Sequence, residues 1–63
     1  MLATKIKMMK DLTAGDLIVE AGETFKVLRV IPKGSTFVRV TLMKDGAPVS
    51  MNAWAIGSVE VAA

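Results

Sequence analysis

Few side chains in this sequence are able to do chemistry, and their types are narrow. The 63 residues include no histidine and no cysteine, which removes thiol nucleophiles, imidazole bases, disulfides and thiolate or imidazole metal sites together. Ser35, Ser50 and Ser58 therefore have no histidine to activate them, and the lysine nearest a serine, Lys33 beside Ser35, shares a solvated glycine-containing turn with it. Asp11 and Asp16 are close enough in sequence for paired acid and base work. Each stands in the turn Asp11-Leu12-Thr13-Ala14-Gly15-Asp16, where a short carboxylate caps backbone N–H groups instead. The glycines are isolated at separate turns, so no phosphate-cradling loop is present. The expectation is a protein without catalytic activity, cofactor or metal.

What remains is non-covalent recognition, carried by two aromatic residues and the cations near them. Phe37 and the single tryptophan, Trp54, are candidate anchors, with Leu28, Val30 and Arg39 around them; Lys26, Lys33 and Lys44 are candidate phosphate contacts. These side chains need strands to bring them together. An apolar content of 52% excludes disorder, and β-branched runs separated by recurrent Gly and Pro read as several short strands in one small all-β domain spanning 1–63.

Two turn signals set the register of the central strands. Asp45-Gly46 is a two-residue hairpin signal that pairs Lys44 with Ala47, Leu42 with Val49, Val40 with Met51 and Val38 with Ala53. Pro32-Lys33-Gly34-Ser35 reads as a four-residue loop pairing Ile31 with Thr36, so that Phe25, Val27 and Arg29 face Leu42, Val40 and Val38. A bulge near Arg29 is expected, because a charge at the loop end of a core face must otherwise reach outward. The opposite face then carries Lys26, Leu28 and Val30 beside Thr41, Arg39 and Phe37, and these beside Ser50, Asn52 and Trp54. Phe37 and Trp54 become cross-strand neighbours.

Leu17-Ile18-Val19-Glu20 reads as the strand before this three-stranded meander, and Ser58-Val59-Glu60-Val61 as a last strand that pairs with it and closes the sheet. Residues 1–10 read as an arm or extra strand, because Thr4, Ile6 and Met8 alternate with Lys5 and Lys7; a nine-residue uncapped helix on Leu2, Ile6 and Met9 is the weaker reading.

On Ala14-Gly15-Asp16-Leu17-Ile18-Val19, Gly22, Phe25-Lys26-Val27-Leu28-Arg29-Val30, the Asp45-Gly46 turn and Ser58-Val59-Glu60-Val61, the layout resembles the SH3-like small barrels, including the KOW-type modules of transcription and translation proteins. Small phage and bacterial accessory proteins open with a stretch similar to Asp11-Leu12-Thr13-Ala14-Gly15-Asp16. The resemblance implies a five-stranded barrel and a binding role, with nucleic acid among its ligands.

An outward cluster of Phe37, Trp54, Leu28, Val30 and Arg39 is more apolar surface than a small monomer leaves in water. Three coverings are consistent with it, and the expectation is the second, a non-enzymatic interaction module that self-associates or binds a partner protein, with single-stranded nucleic acid as the alternative. The N-terminal arm folds over it through Leu2, Ile6 and Met8; or it is a homo-oligomer or partner-protein interface anchored by Trp54; or bases stack on Phe37 and Trp54 while Lys26, Lys33, Arg39 and Lys44 track phosphates. The net charge of +2 is too small to select the last by itself. No apolar run reaches membrane-spanning length and lysines interrupt the first ten residues, so the expectation is a cytoplasmic protein with no membrane partner.

Overall fold

A computed structural model describes residues 3–63. The strands are β1 (Thr4–Met8), β2 (Leu17–Glu20), β3 (Glu23–Lys33), β4 (Phe37–Lys44), β5 (Ala47–Trp54) and β6 (Ser58–Ala62), with one 3-10 turn over Met9–Asp11. They form an all-β antiparallel sheet in the order β1-β6-β2-β3-β4-β5.

The β4–β5 hairpin follows from its turn. Asp45 and Gly46 both take positive φ, 52° and 78°, the left-handed pair whose twist matches the flanking strands. All pairs from Lys44↔Ala47 to Phe37↔Trp54 have the expected register. Val38, Val40 and Leu42 accordingly face inward and are buried.

β3 departs from expectation. It runs through Lys33, and the loop is Gly34–Thr36, which makes Lys33 the partner of Phe37 and Val30 the partner of Val40. Gly34 enters that loop at φ +74°, a conformation costly for the residues around it. The expected bulge is present between Val27 and Arg29. Beyond it the pairing lies three places from the expected register, an odd number, so side chains change face. Val30 packs against the core instead of standing outward, while Arg29 and Ile31 pair with Thr41 and Arg39 on the outer side. The energetic reason is plain. Fully burying a valine contributes roughly 1.5–3 kcal/mol, of which the half-buried Val30 gains a part, whereas an arginine in the same place must reach outward to keep its charge in water.

The bulge also lets β3 serve two sections of sheet, its first part pairing with β2 and its second with β4. β6 returns beside β2 through Ile18↔Val61, as expected, and continues against β1 from Met8↔Ser58 to Thr4↔Ala62. Thus residues 4–8 are a strand and not a helix. They do not fold over the aromatic face: Ile6 and Met8 are exposed on β1, and Leu2, the third contact expected of the arm, lies outside the described residues. β1 instead supplies partners for the backbone groups that β6 would leave open. The sheet has six strands rather than five and ends at β1 and β5, which are not paired with each other. A closed five-stranded barrel is therefore not what forms.

The core is Leu12, Ile18, Val27, Val38, Val40, Leu42, Ala55 and Val61, joined by Met9, Phe25, Val30, Ala53 and Val59. Backbone bonds tie its periphery together: Met9 N–H and Lys10 N–H donate to Gly57 O and Ala55 O, and Ala55 N–H donates to Thr36 O. Turn and loop are thus clamped at the end of the sheet that carries Phe37 and Trp54.

Candidate basic and aromatic sheet face

Phe37 and Trp54 are the last pair of the β4–β5 hairpin. Counting from the hydrogen-bonded pair that flanks a two-residue turn, they fall at a non-hydrogen-bonded position, where side chains approach most closely. Their rings stack with centroids 4.6 Å apart and 29° between planes. They are nonetheless open to solvent, Phe37 at 41% and Trp54 at 60% exposure.

The strands place three parallel rows on this face: Lys33, Phe37 and Trp54; then Ile31, Arg39 and Asn52; then Arg29, Thr41 and Ser50. In the third row the Thr41 and Ser50 hydroxyls are 2.9 Å apart, so one donates to the other. Leu28, the extra residue of the bulge, is exposed nearby. Of the residues expected here, Phe37, Trp54, Arg39 and Lys33 are brought together. Val30 is not, since it packs inward. Lys26 pairs with Leu17 on the far side of the bulge, and Lys44 sits opposite Ala47 on the inner side of the sheet, away from the aromatic rows.

Sequence reasoning missed Arg29 and Ile31. The signal for Arg29 was a charge asymmetry: residues 24–54 hold Lys26, Arg29, Lys33, Arg39 and Lys44 against Asp45 alone, while the remainder holds Lys5, Lys7 and Lys10 against Asp11, Asp16, Glu20, Glu23 and Glu60. The three rows contain cations and no carboxylate. Their outward face is the basic side of an otherwise nearly balanced molecule.

The other chemistry-bearing residues are engaged in structure. The Asp16 carboxylate accepts from Thr13 N–H at 3.0 Å and from Lys7 Nζ at 3.0 Å. The Thr13 N–H, and after it the Lys7 ammonium, hold the Asp16 carboxyl below the usual carboxylate range. Among the described residues no group of three or more His, Cys, Asp and Glu side chains is placed to hold a metal. No helix among them is long and apolar enough to cross a membrane.

A concavity lies on the inner side, where β5 and β6 fail to meet. It is a cleft of about 170 Å³ lined by Met9, Ile18, Phe25, Val49, Met51 and Val59, with Glu20 and Lys44 also on its wall. Comparison with protein-family models, curated proteins and solved structures yields no match to this chain.

Proposed function

We propose that this protein is a non-enzymatic binding module whose working surface is the outer face of β3, β4 and β5, and that its ligand is single-stranded nucleic acid. One observation carries the reading: a stacked, solvent-open Phe37–Trp54 pair shares its row with Lys33 and its sheet face with Arg39 and Arg29 in the next two rows, with no carboxylate among them. Aromatic platforms hold bases irrespective of sequence at about 1–3 kcal/mol per base, and neighbouring cations hold the phosphates. The SH3-like reading is kept only for the order of the strands, since the sheet is open. A strand, a three-strand meander, a short turn and a final strand beside the first give the order β6-β2-β3-β4-β5, to which β1 is added at one end.

A protein partner on the same face is the second reading, favoured by Leu28, which stands at the bulge beside the rows and is 37% exposed. Salt separates the two. Three phosphate contacts predict that log affinity for a single strand falls with log salt at a slope of about −2, and Arg39→Ala should flatten it by about 0.7. Anisotropy of a labelled oligonucleotide over a salt series measures both values. A slope near zero, or one that Arg39→Ala leaves unchanged, removes the nucleic-acid reading.

A further inference from the structure

The two ends of this sheet are not alike. β1 carries Lys5 and Lys7 on the side of the sheet that also bears Val61 and Val59, an inward placement of charge that discourages strand addition. β5, Ala47–Trp54, carries no charged side chain. Its inner residues Val49 and Met51 are 41% and 45% exposed over the cleft. The cleft is lined mainly by apolar side chains, with Glu20 and Lys44 as the charged residues on its wall.

The backbone of β5 says more. Counting outward from the Lys44↔Ala47 pair, the polar backbone groups of Pro48, Ser50, Asn52 and Trp54 point away from β4. Two groups in that row are missing or already used. Pro48 has no N–H, and Trp54 O accepts from Gly57 N–H at 3.0 Å. In an antiparallel two-fold pairing centred on Met51, Ser50 of one copy stands opposite Asn52 of the other and exchanges both bonds with it. Pro48 stands opposite Trp54, where the Trp54 N–H finds the Pro48 carbonyl. The reverse bond is the one that would need the absent Pro48 N–H and the occupied Trp54 O. Every free outward donor and acceptor from Pro48 to Trp54 is matched, and the two defects fall on each other.

We infer that β5 is a self-association edge, at which a second copy of this chain pairs antiparallel about Met51. Met51 then meets its counterpart across the cleft mouth at a non-hydrogen-bonded position, where side chains lie closest. On the outer side Pro48 packs beside the other copy's Trp54. The result is one continuous sheet with both basic faces on the same side. The inference does not depend on what those faces bind.

Sedimentation equilibrium of the whole chain without nucleic acid, from about micromolar to about millimolar, tests it together with amide exchange followed by NMR. The expected result is a monomer–dimer equilibrium in which the Ser50, Asn52 and Trp54 amides become more protected as concentration rises. Asn52→Pro deletes an outward donor without touching the ladder to β4 and should weaken the dimer about tenfold or more. Met51→Lys, which sets like charges face to face, should do the same if the proline variant fails to fold by circular dichroism. A monomer throughout the range overturns the inference. So does a dimer whose Ser50 and Asn52 amides ignore concentration, or one that persists in a folded variant.

Discussion

Asp16 shows how a single side chain can be given a structural task and a pH signature. Its carboxylate closes the turn before β2 by accepting from Thr13 N–H and joins that turn to β1 through Lys7. Because its folded pKa lies below the ordinary value, the unfolded chain binds more protons in the window between the two. The stability from this group is therefore fully present above the unfolded value, near 3.9, and is lost as pH falls through the folded one. Thermal melts of Asp16→Asn should run about 1 kcal/mol below the parent near neutral pH and converge with it in acid; a gap that stays constant into acid would contradict this assignment. Under the proposed nucleic-acid reading, Phe37 and Trp54 do a different kind of work. Each ring is half open, so Trp54→Ala should cost little stability but weaken oligonucleotide binding by about 1–3 kcal/mol, read from titrations on a folded variant. The sequence made this pair legible because the Asp45-Gly46 turn alone determines their register, and no other element intervenes.

At the scale of the element, β3 decides which residues form the face. Its run Val27-Leu28-Arg29-Val30-Ile31 contains two overlapping alternations, and hydrophobic pattern alone does not choose between them. The choice is made by the length of the Gly34–Thr36 loop and by the bulge at Leu28. The bulge was foreseeable from a charge in the wrong place, whereas the loop was not, because Pro32 and Gly34 permit more than one turn. The consequence is measurable. Val30→Ala removes methyl groups packed on the core and should cost about 1–2 kcal/mol, while Arg29→Ala should stay within about 0.5 kcal/mol. Chemical denaturation of the two variants compares them directly; a larger loss from Arg29→Ala would favour the alternative register. β1 presents the same limit from another side. Its alternation marks a strand, but its partner β6 lies some fifty residues away in sequence, and no local signal records that β6 needs one.

For the whole molecule, the sheet resolves into two sides of different character. The inner side holds the apolar core and opens into a cleft where β5 stops short of β6. The outer side of β3, β4 and β5 gathers three cations about a stacked aromatic pair. Acidic residues are concentrated in the remaining half of the sheet and its turns, so the molecule is electrically polarised although its net charge is only +2. Such polarity orients an approaching polyanion more than it attracts one. The most direct test of this account is the emission of Trp54, the only tryptophan, during titration with a single-stranded homopolymer at salt from about 0.05 to 0.5 M. Stacking of a base on the Phe37–Trp54 pair predicts saturable quenching at low salt that salt reverses, and that Lys33→Ala and Arg39→Ala each diminish. Emission unaltered by the homopolymer at low salt, or a change indifferent to salt, would contradict it.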